Sequence, residues 1–299
     1  MFKGAPLKGR AFWYHIPMSH KRIIQISLAG LAVLIGILYI PSFVSVETLE
    51  ANNLSYKITG ELPQVSASSY LVFDIETGEH IVEHEGNIRR PIASVTKLIS
   101  AVSLRNTANL EATTTITYDD VATEGRAGKL VVGEIYTLRE LRLPLLLESS
   151  NDAATVMERV TNGAVVNEMN NLAQAHGLSA RFLDASGLSA KNIASAEDLA
   201  VLANYIYEVH PDVFDITKVS QYIGEYTGWF NNNPGKHIDG YQGGKHGYTE
   251  AAGRTILNLY KHDFPSESRV LGYVLLNSAN LKADLETLHS YVAGNVIRE

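Results

Sequence analysis

The sequence predicts an α+β domain: an antiparallel sheet assembled from both ends of the exported part, a mostly helical insert, and one apolar helix ahead of it all. Three observations predict this. Strand-like runs near residues 69–84 return only after residue 240. Helical periodicity fills the stretch between, and residues 23–40 are almost wholly apolar.

Residues 1–22 read as a basic tail and 23–41 as a membrane anchor. Eighteen apolar residues at 1.5 Å rise span roughly 27 Å, close to the hydrocarbon core of a bilayer. Pro41 ends the run, and Trp13, Tyr14 and Tyr39 suit the interfacial belt. Lys3, Lys8, Arg10, Lys21 and Arg22 all precede it, so the expected topology is single-pass, with a cytoplasmic N-terminus and the rest extracytoplasmic. The alternative is export after signal cleavage. No small-x-small site follows the run, which argues against that alternative.

Residues 42–66 are polar, with Asn52-Asn53, Gly60 and Pro63, and read as a linker. The expected globular domain covers 67–299. Ser69–Asp74 and His80–His84 alternate as strands around a turn at Glu76-Thr77-Gly78. Pro91 is expected to open a helix in which Val95, Leu98, Ile99 and Val102 share one face. Further helical patterns cover 137–147, 152–161, 164–176 and 195–208, the last with Ser195 as N-cap and Asp198 three residues on. Strand character returns near 240–243, 252–260 and 269–277, and a final amphipathic helix near 280–293.

Composition excludes several functions. The absence of cysteine removes disulfides, thiolate zinc sites and Cys nucleophiles, and accords with a bacterial exported protein. Beyond residue 46 the chain carries 20 basic and 32 acidic residues, a balance that repels nucleic acid. His80 and His84 lie about 13 Å apart on an extended strand and no His-Glu-x-x-His occurs, so no metal or other cofactor is expected.

Three short patterns carry chemistry. Ser94-Val95-Thr96-Lys97 opens the apolar helix, Ser149-Ser150-Asn151 lies between two helices, and Lys245-His246-Gly247 sits in a Gly-rich strand. Residues three apart on a helix share a face, so Lys97 reaches the Ser94 hydroxyl. A serine needs a neighbouring base to become a nucleophile, and a lysine serves once burial or a second cation lowers its pKa. Lys245 is a candidate for that second cation. Ser278-Ala279-Asn280 repeats the second pattern and reads as a decoy beside the last helix.

In this order the patterns resemble those of the penicillin-recognising serine enzymes, in particular the low-molecular-weight D-alanyl-D-alanine carboxypeptidase family of penicillin-binding proteins. The resemblance extends through Gly133-Glu134-Ile135-Tyr136-Thr137-Leu138, His176-Gly177-Leu178, Ser186-Gly187-Leu188-Ser189, Asn192 and Asp198-Leu199-Ala200 to Tyr248-Thr249. It implies the serine β-lactamase/penicillin-binding transpeptidase-like fold. Ser94 would form an acyl-enzyme, Lys97 would act as base and Ser149 would relay a proton. Asn151, Lys245, His246, Gly247, Tyr248 and Thr249 would bind substrate, with an oxyanion hole from the backbone N–H groups of Ser94 and Tyr248. The implied substrates are peptidoglycan stem peptides, with β-lactams as covalent inhibitors. The same residues would serve an endopeptidase cutting D-alanyl cross-links, and a catalytically silent wall-binding module of the same fold is a further alternative. A class A β-lactamase is disfavoured, because residues 182–192 offer only Asp184 and no Glu.

One position departs from the resemblance: His246 stands where a hydroxyl residue is usual. If its imidazolium bonds the substrate carboxylate, activity is expected to fall as pH rises through the His246 pKa.

Overall fold

The structure is a computed structural model that describes residues 55–122, 124–125 and 128–299. The tail and anchor expected over 1–41, and the first part of the linker, lie outside the described residues.

A five-stranded sheet organises the domain. Its strands are β2 (Ser69–Asp74), β3 (His80–His84), β10 (Tyr241–Thr249), β11 (Gly253–Asp263) and β12 (Ser268–Ser278), in the antiparallel order β10-β11-β12-β2-β3. Strands from the two ends of the described chain meet where β12 pairs with β2, Leu271 opposite Asp74 and Leu276 opposite Ser69. Every residue of β2 is buried because both faces of the sheet are covered. Leu71 and Phe73 join the core beneath the helical insert, while Tyr70 and Val72 join a second core on the opposite face. Side chains alternate along a strand, so a buried central strand reads as a continuous apolar run.

The insert supplies α1 (Lys97–Thr107), α2 (Leu138–Leu147), α3 (Asn151–Val160), α4 (Ala164–Ala175), α5 (Ala196–Val209) and α6 (Asp212–Lys218). Capping chemistry fixes the starts of α2, α3 and α5. Thr137 and Glu140 form a capping box on α2, and Ser195 and Asp198 form another on α5. Ser150 caps α3 by accepting the Ala153 N–H at 3.0 Å. The last helix, α7 (Leu281–Asn295), covers the second face. Its N-cap is Asn280, so the decoy Ser278-Ala279-Asn280 is a helix cap.

Short strand pairs complete the chain: β1 (Tyr56–Ile58) with β13 (Val296–Arg298), β4 (Arg90–Pro91) with β7 (Ile193–Ala194), β5 (Thr113–Thr115) with β6 (Ile135–Thr137), and β8 (Gln221–Ile223) with β9 (Gly228–Phe230).

Two sequence expectations change here. The linker drawn to residue 66 overlaps β1, which is held by pairing with β13 and by the Lys57–Glu299 ion pair rather than by any apolar pattern. Pro91 does not open a helix. It lies in β4 opposite Ile193, where its missing N–H costs no helical bond. Ala93 then turns through φ 47°, a 3-10 turn covers Ala93–Thr96, and α1 begins only at Lys97.

Candidate active site

The 3-10 turn is what aligns the first pair. With three residues per turn, side chains at i and i+3 eclipse. Lys97 accordingly places Nζ 2.9 Å from Ser94 Oγ. The same Nζ donates to Asn151 Oδ1 at 2.8 Å and to the Ser186 carbonyl at 2.5 Å. An ammonium has three protons for these three acceptors. A neutral amine keeps two N–H bonds, for Asn151 and Ser186, and turns its lone pair toward the Ser94 hydroxyl. Lys97 is fully buried, and that desolvation lowers its pKa to about 7 against the opposing charge of Asp184. The group is thus poised as a base near neutral pH.

Ser149-Ser150-Asn151 approaches from the α2–α3 junction. Since Ser150 is committed as the α3 cap, Ser149 is left as the functional candidate, and it holds a left-handed φ of 65°. Such backbone is costly for a non-glycine residue and tends to persist where surroundings enforce it. Asn151 is fully engaged within the protein: Oδ1 receives Lys97, and Nδ2 donates to the carbonyls of Glu124 (3.0 Å) and Gly125 (3.2 Å). In this state it orients Lys97, and the expected grip on a substrate amide requires Nδ2 to leave those carbonyls.

The edge strand β10 brings the third pattern. Gly247 packs so close that an added Cβ would lie 2.4 Å from the Ser94 N. Lys245 sits opposite Leu257, on the insert side of the sheet, and is fully buried. Burial, then the like charge of Lys97, lowers its pKa well below the usual value. The leading cause for Lys97 is its own burial, so the second-cation tuning expected of Lys245 is not the principal effect. Lys245 Nζ donates to the His246 carbonyl at 2.6 Å.

His246 sits opposite Ile256, on the α7 side of the sheet. It lines a separate cavity beside Arg254, and its Nδ1 is buried without a hydrogen-bond partner. Burial and the two lysines depress its pKa to about 3. It is therefore neutral at any working pH, and the expected fall of activity through its titration is withdrawn. Tyr248 is exposed, and Arg254 stacks on its ring at 5.4 Å. Thr249 Oγ1 accepts the Ala252 N–H at 3.1 Å in the hairpin turn.

Sequence reasoning missed the floor of the site. Asp184 folds the 184–189 loop by accepting N–H bonds from Ser186 (2.9 Å), Gly187 (2.6 Å) and Ser189 (2.8 Å). This Asx-type turn aims the Ser186 carbonyl at Lys97. Gly187 has φ +84°, and a Cβ there would lie 2.0 Å from the Ala93 carbonyl oxygen. Buried Asn192 ties the loop to α1's approach, donating to Asp184 O (2.8 Å) and Thr96 Oγ1 (3.3 Å). Glu158 accepts the Ala185 N–H at 2.6 Å, and burial, with nearby Asp184, raises its pKa. An Asp two and three residues before Ser-Gly was the available signal.

A serine hydroxyl faced by a buried lysine, at the foot of an antiparallel sheet and below a helical insert, defines a serine acyl-transfer enzyme. The chain matches the D-alanyl-D-alanine carboxypeptidase family over residues 56–275, and it belongs to that family. A D-alanyl-D-alanine endopeptidase of Haemophilus influenzae is 37% identical over 145 residues, covering 46% of this chain and 50% of the relative. The chain thus spans about half the length of that relative. A D-alanyl-D-alanine carboxypeptidase of Mycobacterium tuberculosis is 26% identical over 213 residues, 66% of this chain and 71% of the relative. Among solved structures, a Mycobacterium tuberculosis D-alanyl-D-alanine carboxypeptidase superposes with TM-score 0.71 at 24% identity, covering 78% of this chain and 93% of the other. Penicillin-binding protein D2 of Listeria monocytogenes, in its cefotaxime-bound form, gives TM-score 0.68 at 22% identity, covering 78% and 98%. These two structures share the fold.

Proposed function

We propose that the chain is a serine-type D-alanyl-D-alanine carboxypeptidase that removes the terminal D-alanine of peptidoglycan stem peptides. The observation that carries this is the contact of 2.9 Å between Ser94 Oγ and the Nζ of a fully buried Lys97 whose pKa lies near 7. Neutral Lys97 takes the Ser94 proton as Oγ attacks the penultimate D-alanine carbonyl. Ser149 passes a proton to the departing D-alanine amine. The amide C–N bond breaks, and water then hydrolyses the Ser94 ester. Lys245 attracts the carboxylate of the leaving residue, and the backbone N–H groups of Ser94 and Tyr248 receive the oxyanion. β-Lactams act as substrates that acylate Ser94. The complete and pKa-tuned dyad argues against a silent wall-binding module. Residues 23–41 anchor the chain, with residues 1–22 cytoplasmic and the catalytic domain outside. The apolar run and the basic residues before it support that topology.

The test uses cells carrying the full chain. Fluorescent penicillin should label it in the membrane fraction, protease added outside the membrane should remove the label, and the purified protein should release D-alanine from a pentapeptide. Ser94→Ala should abolish both label and release. Covalent labelling retained by that variant defeats the assignment of Ser94, and label that survives external protease in intact spheroplasts defeats the topology.

A further inference from the structure

Ala185 is fully buried just ahead of Ser186, so both its N–H and its carbonyl need partners inside the protein. Two helices supply them. Glu158, from α3, accepts the N–H at 2.6 Å, and Ser100, from α1, donates its hydroxyl to the carbonyl at 2.7 Å. Ser100 also approaches the Thr96 carbonyl at 3.0 Å, but a hydroxyl has one proton and the path to Ala185 is shorter. Lys97 and Asn151 stand on the same two helices. Ser100 lies three residues after Lys97 and Glu158 seven after Asn151, spacings that keep each pair on one face of its helix.

The next carbonyl along the chain, that of Ser186, receives Lys97 Nζ at 2.5 Å. Asn151 and Ser186 take the two N–H bonds of the neutral amine, and together they set where its lone pair points. A shift of the Ser186 carbonyl would therefore turn that lone pair away from Ser94. Asp184 shapes the loop from within, whereas Glu158 and Ser100 tie it to the helices that carry the base and its amide partner. A carboxylate is a costly group for this task. Glu158 is half-buried, and burial and the like charge of Asp184 raise its pKa. In return a carboxylate accepts a stronger bond from an N–H than a neutral oxygen does. We propose that Glu158, with Ser100, is a positioning residue for acylation: the pair locks Ala185, and through it the Ser186 carbonyl that aims the Lys97 lone pair at Ser94. The inference rests on the acyl-enzyme reading above and adds no step to its chemistry.

The experiment follows acylation of the purified full chain by fluorescent penicillin over a range of concentrations, at a pH above the Lys97 midpoint. It reads the limiting acylation rate and the concentration that gives half of it, while the labelling endpoint counts folded sites. Glu158→Ala should lower the limiting rate roughly 10- to 100-fold at an unchanged half-saturating concentration, the cost of a displaced reacting group. Glu158→Gln still offers an oxygen to the Ala185 N–H and should lose about threefold or less. Ser100→Ala should lower the same rate, and the double variant should lose less than the product of the two single losses, because both side chains act on one residue. A parental limiting rate in Glu158→Ala overturns the inference, as does a loss confined to the half-saturating concentration. Glu158→Gln as slow as Glu158→Ala also overturns it, since the acceptor oxygen is then not what matters. Should Glu158→Ala fold too poorly to label, a parental rate in Ser100→Ala overturns it equally. A parent that penicillin never labels overturns the acyl-enzyme reading itself, and this inference with it.

Discussion

The pH dependence of acylation is the sharpest consequence of Lys97. Its only route to base catalysis is loss of a proton, and burial places that loss at about pH 7. The neutral fraction is then about one-eleventh at pH 6 and ten-elevenths at pH 8, so the acylation rate should rise about tenfold between them. The assay is the second-order rate of fluorescent penicillin labelling, in buffers of constant ionic strength from pH 5.5 to 9. Asp184 supplies an internal control. It raises the Lys97 pKa, so Asp184→Asn should move the midpoint to lower pH, while an Asn side chain still offers an oxygen to the 184–189 loop. His246→Thr should leave the midpoint in place, since His246 titrates only near pH 3. A labelling rate flat from pH 6 to 8, or a midpoint that follows His246, would refute the assignment of Lys97 as the base.

Two further outcomes concern the frame. Gly187→Ala should cost roughly 1–3 kcal/mol and most of the labelling rate, because its Cβ would meet the Ala93 carbonyl at 2.0 Å and its backbone φ is +84°; urea midpoints and labelling rates check both, and a wild-type midpoint would contradict the packing. Burial alone would raise the pKa of Asp74, but Arg269, the Tyr56 hydroxyl and the N–H groups of Thr77 and Glu76 outweigh it and lower the pKa to about 2 from 3.8. This depressed carboxyl stabilises by about 2 kcal/mol above pH 4, a contribution lost as pH falls toward 2. Asp74→Asn should thus narrow the gap in urea stability between pH 7 and pH 3, and an unaltered gap would count against the cluster.

The large elements were legible because burial writes itself into period. The alternating and continuous apolar runs of β2, β11 and β12 announced a sheet built from both ends, and the cap at Ser195 marked a helix start to within a residue. Strands of two or three residues have no period to read. β1, β4 and β7 exist because a distant partner holds them, and Pro91 was misplaced for that reason. Within the site, Ser94 and Lys97 were legible because their spacing lies inside one local turn. The Ser186 carbonyl was not, because backbone oxygens carry no residue identity. His246 was legible as an oddity but not in its direction, since which face of β10 it takes follows from pairing with Ile256.

The pairing of β1 with β13 also governs how mechanical load enters the domain. Tension on the segment before Ser55 first meets the Ser55 and Glu299 backbone bonds and the three-rung ladder beyond them. It then passes through the Tyr56 hydroxyl to Asp74 at the end of β2, where Arg269 and Arg298 gather. Ser94 and Lys97 lie in the insert, off that route. Tugging on the leading end would strain a clasp at the rim and leave the geometry of bond cleavage untouched.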